Sequence, residues 1–160
     1  MNRQLLFTDG SVNVQSKIGY GACLLLAEEE QHAGNLAQKV LVKRFENTNS
    51  TKLELQTLLW ALDKLHQVDG QIVIHTDSQT IVDLLDRRSK LEENDFKSKK
   101  SKPLNNGDLY RSFFTKIDLL NCEFIKIKGH QPSFMKNEIE QIFALVDKAS
   151  RKALRKENLL

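Results

Sequence analysis

The first third of the chain alternates between short apolar runs and polar breaks, the pattern typical of β-strands. Three such runs follow one another, and they predict strands over residues 4–9, 19–27 and 39–45. Because the three predicted strands are consecutive and their connections are short, we expect them to form an antiparallel meander. The first of them, "LLFTDGS" (5–11), is unusual in its last residues, where a carboxylate follows the apolar run.

After residue 50 the spacing of the apolar positions changes from two to three or four. Leucines recur at these steps from residue 50 to about residue 68, which predicts an amphipathic helix. A short β-branched run predicts a fourth strand over residues 71–77, and the next segment predicts a helix over 78–88. A strand, a helix and a strand in succession imply a parallel pair joined by a right-handed crossover.

The second half of the chain adds a helix within residues 104–120, a fifth strand over 122–128 and a long amphipathic helix over 137–156. The polar segment 89–103 predicts a loop or a frayed, exposed helix. The order β-β-β-α-β-α-α-β-α indicates an α/β fold with a mixed five-stranded sheet flanked by helices. With no internal repeat and no Pro/Gly-rich linker, we expect a single domain over residues 1–160.

Composition agrees with one globular domain, since 160 residues that are 40% hydrophobic and 28% charged can form one core. No run approaches the roughly 20 apolar residues of a membrane span, and the first residues do not form a signal peptide. Cys23 and Cys122 lie in apolar stretches, so we expect free thiols and a cytoplasmic setting. Lysines and arginines cluster over 97–102 and 148–156, where they could follow a phosphate backbone or be solvated surface charge.

Two predicted strands end in the same way, one at Asp9 and the other at Asp77. If these strands are parallel neighbours, both carboxylates lie at the edge of the sheet where ligands bind in open α/β folds. Glu54 shares a helix face with apolar residues and is a third candidate. Such carboxylates could hold magnesium or manganese, because these ions prefer oxygen ligands. Taken singly, each Asp could instead terminate a strand or cap a helix.

Five motifs together resemble type 1 ribonuclease H, an endonuclease that cuts the RNA strand of RNA–DNA hybrids. In chain order they are "FTDGS" (7–11), "TKLELQTLLWAL" (51–62), "HTDSQ" (75–79), "KGHQ" (128–131) and "VDKASRKA" (146–153). The resemblance implies a ribonuclease H-like fold with strand order 3-2-1-4-5. It also implies two Mg²⁺ ions, with Mn²⁺ as a possible substitute, bound by four carboxylates: Asp9, Glu54, Asp77 and Asp147. Cleavage is then expected to leave 5′-phosphate and 3′-hydroxyl ends.

The last motif departs from the family pattern, in which the final aspartate follows the histidine within about ten residues. Asp147 lies seventeen residues after His130. We assign Asp147 because the family pattern continues beyond it, which requires an insertion of about two helical turns. Glu140 is the alternative ligand, and aligning Asn137 with the family's Asn-Glu pair would place Gln141 at the ligand position. Asp147 could also be an ordinary surface charge.

The resemblance further implies that His130 assists proton transfer or product departure, although an isolated loop histidine usually has no such role. Candidate substrate contacts follow from the family positions and from the lysine run: Gly10, Ser11, Asn49, Ser50, Thr51, Ser78, Gln79, Lys97, Lys99, Lys100 and Lys102. The expected partner is an RNA–DNA hybrid duplex, with no membrane contact, and the expected state is a monomer. Trp60, in the first predicted helix, is assigned to the core.

Two other functions remain open at this stage. The chain could be a nucleic-acid- or partner-binding module on the same fold, with a metal site impaired by the altered last segment. It could also be a structure-specific DNA nuclease or a transposase-like catalytic core, although the short chain and the "KGHQ" loop argue against this. The three functions differ in whether the unmodified protein cleaves a nucleic acid when magnesium is present, and in which one it cleaves.

Overall fold

A computed structural model describes residues 3–65, 70–128 and 137–159 and contains one five-stranded sheet with four helices packed on it. The strands are β1 (Arg3–Asn13), β2 (Ile18–Ala27), β3 (Leu41–Phe45), β4 (Gln71–Thr76) and β5 (Asn121–Lys126). The helices are α1 (Ser50–Asp63), α2 (Gln79–Glu93), α3 (Gly107–Asp118) and α4 (Glu138–Asn158). Two short 3₁₀ helices, Glu28–His32 and Leu36–Lys39, connect β2 to β3.

The sheet is mixed and its strand order is β3-β2-β1-β4-β5. The first three strands are antiparallel, whereas β1 with β4 and β4 with β5 form parallel pairs. This arrangement confirms the predicted fold class and strand order. It makes β1 the central strand, with an antiparallel neighbour on one side and a parallel neighbour on the other.

The two strands beside β1, β2 and β4, pair with it over different lengths. Its pairing with β4 ends at Phe7 and His75, but its pairing with β2 continues to Asn13 and Ile18. The prediction that the first strand stops at Asp9 is therefore wrong. Asp9 lies inside β1, just beyond the point where the parallel partner is lost, because only β2 extends far enough to continue the ladder.

Alternate side chains of β1 point to opposite faces of the sheet. Leu6 packs in a core with α1, α2 and α3, whereas Leu5 and Phe7 pack in a second core beneath α4. Helices thus cover both faces. Each fully buried Leu or Phe contributes roughly 1.5–3 kcal/mol of hydrophobic stabilisation, which fixes which side of β1 faces α4.

Helix α1 lies unusually close to the sheet because glycines face it. A Cβ atom added at Gly21 would lie 2.2 Å from Thr57 Oγ1, and one at Gly19 would lie 2.7 Å from Leu53 Cδ2. Both distances are too short for real atoms. The missing side chains therefore allow the close approach that brings Glu54, on the same helix, next to the sheet.

Two helix boundaries differ from the sequence predictions. Helix α1 ends at Asp63, earlier than the predicted 68, and the Leu65 N–H donates to the Leu62 carbonyl (3.0 Å) in a tightened last turn. Helix α2 continues to Glu93 rather than 88, because buried Leu91 extends its apolar face. The Phe96 N–H then closes α2 by donating to the Leu91 carbonyl (2.8 Å).

Three further predictions concern the segment 89–103, the two cysteines and membrane-spanning helices. The segment 89–103 is helical up to Glu93 and a loop beyond it. Cys23 is buried, Cys122 is half-buried, and both are free thiols, as expected. Among the helices of residues 3–65, 70–128 and 137–159, none is long and apolar enough to cross a membrane.

Candidate active site

Asp9 is brought against α4 by the alternation of β1. It follows Leu5 and Phe7 at steps of two, so its carboxyl group leaves the sheet on the face that α4 covers. There its carboxyl group lies beside that of Asp147, and this proximity raises the pKa of Asp9. Two like charges at such close range repel each other unless a cation neutralises them.

Asp77 and Glu54 complete a narrow cleft beside Asp9. Asp77 follows Thr76, the last residue of β4, and Glu54 projects from the first half of α1. The cleft is lined by residues of β1, α1 and the β4–α2 junction, namely Thr8, Asp9, Glu54, Thr57, Thr76, Asp77 and Ile81. Three separate parts of the chain therefore contribute carboxyl groups to one edge of the sheet, and α4 contributes a fourth.

The electrostatics of these groups reflect their crowding. Burial, followed by the charge of Asp77, raises the pKa of Asp9 to about 9, and the nearby carboxyl group of Asp147 acts in the same direction. Burial also raises the pKa of Glu54, and the Asp77 charge adds to this effect. The Ser78 hydroxyl opposes it by donating to Glu54 Oε2 (2.6 Å). The cluster thus has more negative charge than its surroundings neutralise.

These carboxyl groups fit a divalent cation in their chemistry, because an oxygen-only donor set with excess negative charge suits Mg²⁺ or Mn²⁺. Within the described residues, however, no three His, Cys, Asp or Glu side chains form a group that could hold an ion as they stand. Glu54 is turned to Ser78, and Asp147 is paired with Arg151 (Nη2 to Oδ2, 2.7 Å). Ion binding would require these side chains to exchange their present partners.

The structure distinguishes Asp147 from the alternatives considered for the last ligand. Asp147 lies midway along α4 and contacts Asp9. Glu140 lies in the first turn of α4, where it forms a capping box with Asn137, whose side chain accepts from the Glu140 N–H (2.8 Å). Gln141 lies in that same part of the helix and is exposed. Asp147 therefore lies about two to three turns into an uninterrupted helix over 138–158.

Comparison with known proteins decides the family. The family model described as RNase H matches residues 1–153. The chain belongs to the RNase H family. A ribonuclease H of Caldicellulosiruptor saccharolyticus is 26% identical over 144 residues, covering 89% of this chain and 94% of the relative. A ribonuclease H of Pectobacterium atrosepticum is 29% identical over 133 residues, covering 81% and 80%.

Solved structures share the RNase H fold at lower identity. The RNase H domain of PFV superposes with a TM-score of 0.71 at 18% identity, covering 94% of this chain and 93% of that domain. The foamy viral protease-reverse transcriptase in complex with RNA/DNA hybrid gives a TM-score of 0.65 at 14% identity, covering 94% of this chain and 19% of that protein. Together with the named relatives, family membership supports a nuclease of the ribonuclease H class.

Several residues predicted to contact the substrate of this RNase H have structural partners of their own. Asn49 caps α1 by accepting from the Lys52 N–H (2.9 Å), and Ser78 caps α2 by accepting from the Ile81 N–H (3.2 Å). The Ser11 hydroxyl is hydrogen bonded to that of Ser150 (3.1 Å). Gly10 faces α1, where an added Cβ would lie 2.9 Å from Leu53 Cδ2.

The other predicted substrate residues are more open to solvent. Ser50 and Thr51 form the first turn of α1, and Gln79 is exposed at the start of α2. The Gln79 amide donates to Asp83 Oδ1 (2.7 Å) and accepts from Lys126 of β5. All four lysines of the loop after α2 are exposed, namely Lys97, Lys99, Lys100 and Lys102. His130 lies outside the described residues.

Sequence reasoning missed two surface features of this RNase H. One is a groove in which Asn105 and Asn106 join Asn47, Asn49 and Ser50, although these asparagines are far apart in the sequence. The other is a cavity in which Arg87 and Lys90 of α2 face Lys97 and Lys99. The Asn-rich runs and the cations of α2 were visible in the sequence, but only the fold brings them together.

Proposed function

We propose that this RNase H is an endonuclease that hydrolyses the RNA strand of RNA–DNA hybrids with two bound Mg²⁺ ions, leaving 5′-phosphate and 3′-hydroxyl ends. The observation that carries the proposal is the crowding of Asp9, Asp77 and Asp147 at one edge of the sheet, with Glu54 beside Asp77. A cluster of acidic groups costs stability when no cation neutralises it, so its presence in a nuclease family supports an ion-binding role.

Asp9, Glu54, Asp77 and Asp147 would hold the ions, and Mn²⁺ could replace Mg²⁺ because it accepts the same oxygen ligands. Bound divalent ions would lower the pKa of an attacking water and stabilise the charge that develops on the phosphodiester. Ser78 orients the Glu54 carboxylate by donating a hydrogen bond to it. In this proposal His130 exchanges a proton with the product or the solvent, a role that an imidazole pKa near neutrality permits.

Hybrid recognition is proposed to combine polar contacts near the carboxyl groups with basic contacts farther away. Ser50 and Thr51 lie at the N-terminus of α1, where the helix dipole favours a phosphate. Asn49 and Gln79, with Gly10, Ser11 and Ser78, would complete the polar surface that faces the ribose and base edges. The exposed lysines of the loop after α2 would bind the phosphate backbone, which makes affinity dependent on salt.

The decisive experiment incubates the protein with a labelled RNA–DNA hybrid, an RNA duplex and a DNA duplex, each with Mg²⁺ and with EDTA. We expect cleavage of the RNA strand of the hybrid, and only with Mg²⁺. Asp77→Asn is expected to abolish cleavage while retaining hybrid binding, and Asp86→Asn, on the exposed face of α2, serves as the matched control. Analysis of the product ends tests the proposed end chemistry.

A binding module with an impaired metal site is the second candidate. It is favoured by the ion pair between Asp147 and Arg151 and by the lack, within the described residues, of a preformed group of three ligands. Binding of the hybrid without cleavage in Mg²⁺ or Mn²⁺ would support this candidate. Cleavage of the DNA duplex would instead indicate a DNA nuclease. The single domain, the monomeric state and the cytoplasmic setting stay predictions.

A further inference from the structure

Four hydrogen bonds connect the C-terminal half of α4 to the strands that lie beside the candidate active site. Ser150 is hydrogen bonded to Ser11 (3.1 Å), and Asn158 Oδ1 accepts from Asn13 Nδ2 (3.1 Å). Glu157 Oε1 accepts from the Tyr20 hydroxyl (2.7 Å) and from Arg44 Nε. We call these contacts the α4 clamp.

The pairing of the strands places the clamp residues of the sheet side by side. Ser11, Tyr20 and Arg44 are paired directly across β1, β2 and β3, so their side chains lie in a row on one face. That face is the one covered by α4. The Glu157 side chain is only 16% exposed, and it is the one acidic group that Tyr20 and Arg44 share among the contacts of the described residues.

The row of polar contacts begins at the candidate active site. Asp9, Ser11 and Asn13 project from β1 at steps of two towards the same face. On α4, Asp147, Ser150 and Asn158 are separated by three and then eight residues, which keeps them on one side of the helix. The contact between Asp9 and Asp147 is thus the first in a series, and Glu157 anchors its far end.

Two further observations connect the α4 clamp to the position of Asp147. Asp147 lies midway along a 21-residue helix, so the rotation of α4 about its axis determines whether Asp147 faces Asp9. In addition, Glu157 and Asn158 lie beyond residue 153, where the match to the family model ends. The clamp is therefore built partly from residues outside the matched region.

We propose that Glu157 is a positioning residue that holds the rotation of α4, through Tyr20 and Arg44, so that Asp147 faces Asp9. This inference rests on the proposed function, because Asp147 is assigned there as a metal ligand. It predicts that loss of the clamp weakens ion binding through Asp147. A residue with a merely structural role would lower the melting temperature without changing ion affinity.

The test measures Mn²⁺ affinity by calorimetry without substrate, together with kcat and KM for hybrid cleavage. Glu157→Ala is expected to weaken ion binding about tenfold, the effect of losing a hydrogen bond to a charged group. We expect kcat at limiting Mg²⁺ to fall and KM for the hybrid to stay unchanged. Tyr20→Phe, which removes one hydroxyl group, should give a smaller loss in the same direction, and Glu157→Gln should restore part of the affinity.

Glu46→Ala is the matched control, because Glu46 binds the same Arg44 but does not contact α4 in the described structure. In an Asp147→Asn background, Glu157→Ala should cause no further loss of ion affinity. A lower melting temperature with wild-type ion affinity and kcat would overturn the inference, as would an equal loss in the Asp147→Asn background. Failure of the wild type to bind ions would overturn both the inference and the proposed function, whereas the other results leave the proposed function intact.

Discussion

At the scale of single residues, the protonation state of Asp9 makes the stability of the fold depend on pH. Its pKa rises from 3.8 to about 9, so the folded protein keeps a proton that the unfolded chain releases. Without divalent ions this group therefore favours folding at pH below 3.8, and its contribution is lost as the pH rises towards 9. Without ions, the site is most stable at low pH, where Asp9 is protonated. In our proposal, bound ions take the place of this proton at higher pH.

We predict that Asp9→Asn raises the melting temperature in EDTA at pH 8 by about 5 °C, because wild-type Asp9 must take up a proton on folding at this pH and asparagine need not. The gain should shrink as the pH falls towards 3.8, where the unfolded chain also holds part of this proton. Melting curves between pH 4 and pH 9 check this sign. The same variant should lose hybrid cleavage by about a hundredfold or more, since an amide is a poor substitute for a metal-binding carboxylate. A less stable variant at pH 8 would contradict the electrostatic argument.

The Ser78 hydroxyl accepts a hydrogen bond from the Ile81 N–H of α2 and donates one to the Glu54 carboxylate of α1. Ser78→Ala should lower the free energy of unfolding by about 1 kcal/mol through loss of the cap. It should also raise the pKa of Glu54 further, because the Ser78 hydrogen bond lowers it. The acidic limb of the pH–activity profile should therefore move to higher pH. Ser89→Ala, on the exposed part of α2, is the control and should leave the profile unchanged.

At the scale of elements, the position of α1 depends on the glycines beneath it. Gly21→Ala would place a methyl group 2.2 Å from Thr57 Oγ1, so α1 must shift away from the sheet. We expect a loss of about 1–3 kcal/mol in the free energy of unfolding. Because Glu54 moves with the helix, activity should also fall at subsaturating Mg²⁺.

The matched control for this prediction is Gly34→Ala, since an added Cβ at Gly34 meets nothing within 4 Å. Denaturant unfolding curves and Mg²⁺ titrations of both variants provide the measurement. Equal stability of the Gly21 and Gly34 variants would show that α1 adjusts without cost, contrary to the tight contact seen between α1 and β2.

At the scale of the whole molecule, the net charge is only +3, but four exposed lysines lie together in the loop after α2. Replacing Lys97, Lys99, Lys100 and Lys102 by glutamine should reduce the slope of log affinity for the hybrid against log salt by about 3–4. Binding measured between 50 and 200 mM salt, roughly the range over which such contacts weaken, checks this value. Lys39→Gln, whose lysine pairs with Glu30, is the control and should leave the slope unchanged.

Much of the architecture could be predicted from apolar spacing, because burial on one or both faces dictates that spacing. The periods of β1, β4 and α4 are of this kind, and the family motifs supplied the strand order. The length of β1 beyond Asp9 could not be predicted, because it depends on β2 rather than on the residues of β1. The end of α1 was equally hidden, since Leu65 continues the helical spacing of leucines beyond Asp63.

The candidate site, too, could be predicted from the sequence only in part. The motifs predicted four carboxyl groups as ligands, and the geometry brings Asp147 rather than Glu140 to Asp9. The bond from Ser78 to Glu54 and the bonds of Glu157 to Tyr20 and Arg44 join residues far apart in the sequence. No local pattern marks such contacts, because they arise from the packing of complete helices on the sheet.

The unequal neighbours of β1 have a consequence for deuterium uptake. Up to Phe7 the strand is bonded between β4 and β2, so its amides should exchange only through global unfolding. Beyond Phe7 it is bonded to β2 alone, and local opening should suffice for exchange. Asp9 lies just inside this faster half, so in our proposal its backbone would adjust around a bound cation while the slow half keeps the rest of the sheet intact.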